Sequence, residues 1–137
     1  MAEAGIIVVG GGQAGSALVS KLRTDGYAGP LTLIGAEPVP PYQRPPLSKK
    51  YLMGEMEAER LYLRPHHWYG DQDIALQMGM AVTAIDAAAR TVTLGGKTLP
   101  YTDLALTTGS IPRTLPAAIG GALSGVYTVR TLADIDC

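Results

Sequence analysis

Apolar positions in the first third of the chain switch between two periods. "GIIVVG" (5–10) is an unbroken, mostly β-branched run closed by glycine, which predicts a parallel strand buried on both faces. "QAGSALVSKLRTDG" (13–26) then places Ala14, Leu18 and Leu22 at i, i+4 and i+8. Lys21 and Arg23 fall near its end and Gly26 is a natural stop, so a helix packed on the sheet is expected. "PLTLIG" (30–35) restores the unbroken run as a second buried strand. Strand, helix and strand within about 30 residues make a βαβ unit, whose crossover is expected to be right-handed.

Beyond residue 36 the regular pattern breaks. Half of the chain's ten prolines fall between Pro38 and Pro46, inside "EPVPPYQRPPLSKKYL" (37–52). That predicts a stiff, extended loop, followed by a short helix with Ser48 as its N-cap. "RPHHWYGDQD" (64–73) reads as another helix with Pro65 at an early position, and "IALQM" (74–78) as a third strand. "AVTAIDAAARTVTLGGKTLPYTDLALTTG" (81–109) alternates apolar and polar residues around Gly95-Gly96. It predicts a small antiparallel meander ending in a buried strand, Leu104 to Thr107. The fold class is therefore α/β: a Rossmann-like parallel sheet plus a small antiparallel β-meander.

Composition narrows the possibilities. With 47% hydrophobic and 17% charged residues, the 137-residue chain is globular and fits one domain, 1–137. A net charge of −1 gives no case for nucleic acid or an anionic membrane as partner. No apolar run approaches the ~20 residues that span a bilayer, and "MAEAGIIVVGGG" lacks a signal-peptide pattern. A single cysteine, Cys137, excludes an internal disulfide, a CxxC dithiol and a multi-cysteine metal site. A cytosolic setting is expected. His66 and His67 precede Trp68, but adjacent histidines on a helix point to different faces, so packing is the expected role and no metal site is predicted.

Candidate chemistry begins with Gly10-x-Gly12-x-x-Gly15, where a strand becomes a helix. Gly10 permits the tight turn, Gly12 removes a Cβ that would block a pyrophosphate, and Gly15 lets helix and strand approach. Unpaired amides and the helix dipole then favour a diphosphate. Glu37, about twenty residues further and past the second strand, is placed to accept from ribose hydroxyls. The turn suits FAD and NAD alike. A nicotinamide-binding unit normally enters another helix after its second strand; here a proline loop carrying Arg44 and Lys49 follows instead, a path suited to cations beside a bound cofactor.

"GGGQAG", "EPVPPYQRPPLSKKYL", "LYLRP", "LALTTGSIPR" and "GVYTVRTLAD", in this order, resemble the N-terminal FAD-binding segment of a family. These are the NADH-dependent [2Fe–2S] ferredoxin reductases of the putidaredoxin reductase and rhodocoxin reductase type, in the pyridine nucleotide-disulphide oxidoreductase superfamily. "RPPLSK" and "TTGSxPR" are far more specific than the glycines. The resemblance implies a FAD/NAD(P)-binding domain and an oxidoreductase that passes electrons from NADH through FAD to a [2Fe–2S] ferredoxin serving an oxygenase. It implies that Lys49 lies near the flavin ring as the catalytic cation, stabilising negative charge on the reduced flavin, and that Arg44 lies on the ribose–phosphate side. Gly10, Gly12, Ala14 and Gly15 form the cofactor turn. Ala36 stands where the family often carries aspartate, leaving ribose binding to Glu37. The backbone at Val82 matches an adenine contact. Thr108-Gly109, within an "ATG"-type turn written Thr107-Thr108-Gly109, passes over the flavin, and Arg130 contacts FAD.

The dithiol of disulfide-reducing relatives has no counterpart near Lys49, which favours a one-electron acceptor. The match stops where an NADH domain would begin. The chain is accordingly expected to be a truncated product or an excerpt of a longer enzyme, its N-terminal part without the NADH and interface domains, and by itself not to turn over with NADH. An open sheet edge would then favour self-association. Two alternatives stay open: a related flavoprotein with another acceptor, of nitrite reductase or NADH oxidase type, and a non-catalytic nucleotide-binding fragment.

Overall fold

A computed structural model describes residues 3–136, which divide into two compact units. The first comprises residues up to Tyr42 together with Tyr62–Gly109, and the second comprises Gln43–Leu61 together with residues from Ser110 onward. The single cysteine lies outside the described residues.

The first unit is built on six strands: β1 (Gly5–Val9), β2 (Leu31–Gly35), β3 (Ile74–Met78), β4 (Val82–Asp86), β5 (Thr91–Leu94) and β6 (Lys97–Leu106). Their order is β3-β2-β1-β6-β5-β4. The β3, β2, β1 and β6 neighbours pair in parallel, and β4, β5 and β6 form the expected antiparallel meander. The strand β6 serves both: Lys97–Pro100 pair with β5, and Tyr101–Leu106 run beside β1.

Successive side chains on a strand point to opposite faces, and β1 divides accordingly. Val8 packs with Leu31, Leu33 and Ile74, and with Val19 and Tyr69 from the two helices α1 (Gln13–Thr24) and α2 (His66–Asp71). Ile7 and Val9 pack with Ile34 and with Val92, Leu94 and Tyr101 of the meander. Helices thus cover one face and the meander the other, which accounts for the unbroken apolar run in β1.

Three expectations need correction. The buried row of α1 is Gly15, Ser16 and Val19, with Leu18 and Leu22 beside it, and Ala14 is exposed. Close approach at Gly15 centres the buried face on Gly15, Ser16 and Val19, with Leu18 and Leu22 still packed against the core and Ala14 left outside it. The end of β6 is not buried: Leu104 is half-buried, Leu106 is 60% exposed and belongs to neither core cluster, and the strand stops one residue before Thr107. Ser48 caps no helix. It is instead the last residue of a short 3₁₀ turn, Pro45–Ser48, preceded by Arg44, because paired prolines with fixed φ begin the turn at Pro45.

Arg23 ties the far ends of α1 and α2 together. Its guanidinium donates to the carbonyl oxygens of Tyr27, Asp73, Gln72 and Gly29 at 2.5, 2.7, 2.8 and 3.0 Å. At the opposite end of the proline loop, Tyr42 and Tyr62 form an isolated antiparallel bridge.

The second unit has little regular structure beyond the Pro45–Ser48 turn, two further short 3₁₀ turns and α3 (Leu132–Ile135). Leu47, Leu61 and Leu132 are its buried apolar anchors. A capping box begins α3: Asp134 accepts from the backbone N–H of Thr131, and Thr131 returns a bond to the Asp134 amide.

Candidate functional site

Within the first unit, the parallel strands end on one side, and the predicted site residues gather there. Gly10–Gly15 follow β1, Ala36 and Glu37 follow β2, and Thr107–Gly109 follow β6. Because β2 and β6 flank β1 on opposite sides, the chain order reverses at β1. Open α/β sheets bind ligands at the carboxyl ends of their strands, at such a switch point.

The three glycines have different physical reasons. Gly10 sits at φ +118°, and a Cβ there would meet the Thr107 carbonyl oxygen at 2.1 Å. A Cβ on Gly15 would lie 2.2 Å from the Gly10 carbonyl oxygen and 3.0 Å from Leu33 Cδ1. Protein packing alone demands both. Gly12 differs: a Cβ would meet nothing within 4 Å, and its φ of −95° suits any residue. No protein atom requires glycine there, while a ligand resting on the turn would. No side chain caps α1 at its start, and its first turn carries no acidic residue. The twelve-residue helix therefore keeps backbone donors and its positive dipole end for an anion. The residues fit a dinucleotide diphosphate.

Glu37 is half-buried, and the hydroxyl of the buried Tyr42 donates to its Oε2 at 2.5 Å. The carboxylate is thereby fixed beside β2, and its own backbone oxygen accepts from Gly79 N–H at 2.9 Å. Ala36 is exposed next to it. The Val82 side chain packs against the Ile7 and Val9 core, so its side chain is a core element. Thr108 and Gly109 are exposed, with Gly109 at φ +69°. Tyr42, which the sequence reading did not single out, and Thr107, which it named only as part of the turn, stand out. The hydroxyl of Thr107 lies 3.0 Å from the Gly10 oxygen. Tyr42 acts on an acid five residues before it in the same loop, and Thr107 on a residue 97 positions away, which no local pattern marks.

The other predicted cations belong to the second unit. Arg44 Nη1 donates to the Arg130 carbonyl at 2.6 Å, and Arg130 N–H donates to Asp134 Oδ2 at 2.8 Å. Lys49 is exposed, its ammonium 3.3 Å from the Pro45 carbonyl. Hydrogen bonds from the Thr131 and Arg130 amides, helped by the Arg44 charge, hold the Asp134 carboxyl below its ordinary range. Burial pushes the Tyr69 phenol up, while its contact with Ser16 at 3.4 Å opposes that. His66 and His67 are exposed on α2.

A parallel sheet with a glycine turn, an open position at Gly12 and a fixed acid after β2 defines a dinucleotide-binding α/β protein. The chain belongs to the pyridine nucleotide-disulphide oxidoreductase family, whose model matches residues 4–137. It is 42% identical over 132 residues to a ferredoxin–NAD(P)(+) reductase of Sphingomonas sp, covering 96% of this chain and 32% of that protein. It is also 42% identical to rhodocoxin reductase of Rhodococcus erythropolis, covering 96% of this chain and 31% of that protein. Among solved structures, the covalent putidaredoxin reductase–putidaredoxin complex matches with a TM-score of 0.89 and 41% identity, over 100% of this chain and 34% of that one. The chain spans about a third of the length of the curated relatives it matches.

Proposed function

We propose that this chain is the FAD-binding module of an NAD(P)H:ferredoxin oxidoreductase, whose electrons leave for a [2Fe–2S] ferredoxin of an oxygenase system. The observation that carries the reading is the open space at Gly12 between two glycines that packing explains. The name of the ferredoxin–NAD(P)(+) reductase supports the choice of nicotinamide and ferredoxin, and the choice of FAD rests on the resemblance of the proline loop and the Thr107–Gly109 turn.

In this reading the amides that begin α1 hold the diphosphate, and Glu37, steadied by Tyr42, accepts from the adenosine ribose. Ala14, Ala36 and the Val82 backbone lie along the adenosine side, while Thr108 and Gly109 leave room for close approach. FAD when bound supplies the chemistry: it would take two electrons as one hydride and release them singly. The resemblance gives Arg44 the ribose–phosphate side, Arg130 a contact with FAD, and Lys49 the flavin ring, where its charge balances what is gained on reduction. No helix among the described residues is long and apolar enough to cross a membrane. A cytosolic setting goes with the reading, supported by the single cysteine.

The test is flavin content. The purified chain should take up FAD at one per chain and show flavin bands in the visible spectrum, and the full gene product should reduce a [2Fe–2S] ferredoxin with NADH. A colourless preparation that refuses added FAD would overturn the reading.

A further inference from the structure

We propose that Thr107 is the positioning residue of the glycine turn, its hydroxyl setting the direction of the Gly10–Gly11 peptide on which diphosphate binding depends. The inference deepens the dinucleotide reading and rests on it.

The Thr107 hydroxyl has one proton and two carbonyl oxygens within reach, Gly10 at 3.0 Å and Val9 at 3.3 Å. The Val9 oxygen already accepts from the Thr107 backbone N–H at 2.8 Å. The shorter and less committed contact is Gly10, so the proton goes there. The same carbonyl oxygen presses on Gly15, where a Cβ would come within 2.2 Å of it. The Gly10 oxygen is thus caught between the start of α1 and a hydroxyl just past the end of β6.

The peptide bonds of the described residues are trans, and in a trans peptide the N–H points opposite to the C=O. Holding the Gly10 oxygen toward Thr107 therefore sends the Gly11 N–H away from it. Gly10 at φ +118° has the freedom of glycine, and without an external tie this peptide can rotate. A side chain anchored by the β1–β6 ladder supplies the tie. Preorganised donors bind an anion without first paying to be ordered.

The test uses the full chain carrying Thr107→Val, Thr107→Ala or Thr107→Ser, titrated calorimetrically with ADP and, as the phosphate-free control, adenosine. Valine keeps the shape and removes the donor. The expected result is ADP binding about fivefold weaker in Thr107→Val and Thr107→Ala, with adenosine binding within twofold of wild type and ADP binding restored in Thr107→Ser. Equal ADP binding by wild type and the alanine variant would overturn the positioning role, as would parallel losses for ADP and adenosine. Should the valine variant not fold, the alanine and serine pair decides by the same two ligands. Failure of the wild-type chain to bind ADP would instead sink the diphosphate reading, and this inference with it.

Discussion

Arg44 donates through Nη1 to the backbone oxygen of Arg130 at 2.6 Å, joining residues 86 positions apart. Two arginines expected as separate cofactor contacts thus form one structural pair, in which the guanidinium of the first orders the main chain of the second. Asp134 continues the arrangement from the other side, accepting from the Arg130 and Thr131 amides.

Removing that guanidinium should loosen residues 130–135. Hydrogen bonds from charged groups contribute about 1.5–3 kcal/mol, so Arg44→Ala should raise amide exchange in this segment tenfold or more. Exchange in β1 and β2 should be unchanged. Uniform protection in wild type and variant would contradict the role given to this bond.

The glycine turn separates packing from binding. Gly12→Ala should melt within about 1 kcal/mol of wild type, since its Cβ enters open space, yet bind FAD at least tenfold more weakly. Gly15→Ala should lose about 1–3 kcal/mol of stability, because its Cβ is driven into the Gly10 carbonyl. Urea melts of the apoprotein and FAD titrations, taken together, read both effects.

Glu37 and Tyr42 are expected to differ in what they cost. Glu37→Gln should weaken adenosine-containing ligands about tenfold with little change in melting, as a charged acceptor becomes a neutral one. Tyr42→Phe should lose about 1 kcal/mol of stability, because a buried hydroxyl no longer meets the carboxylate. Its effect on adenosine binding should be smaller than that of Glu37→Gln. Calorimetry against ADP checks the order.

Asp134 makes the second unit sensitive to acid. The Thr131 and Arg130 amides hold its carboxyl below the ordinary range, so the folded form favours the carboxylate. Its contribution is complete above the unfolded-state value and is lost as pH falls through the lower folded-state value. Acid should therefore open α3, seen as faster proteolysis of residues 110–136 toward strongly acid pH. Asp134→Asn should lower protection at neutral pH and flatten that dependence.

Much of the fold was legible because it is locally encoded. The unbroken apolar runs of β1 and β2, the helical spacing of α1 and the Gly95-Gly96 turn each follow from the preferences of a few consecutive residues. So does the glycine spacing of the turn between β1 and α1. Ser48 was misread because two prolines upstream of it set the turn first. On α1 Leu18 and Leu22 pack as expected, but Ala14 does not, and Gly15, having no side chain, carries no hydrophobic signal although it makes the closest approach.

By itself the sequence determined the element types, the parallel sheet with its meander, and the glycines and acid proposed to hold a dinucleotide. Only the tertiary structure decided which side chains complete the site. Thr107 reaches Gly10 because β6 lies beside β1. Arg44 meets Arg130 across most of the chain. Periodicity reports how a segment faces its core over a few turns or pleats. A hydrogen bond between distant segments depends on strand order and register, and no run of neighbouring residues carries that information.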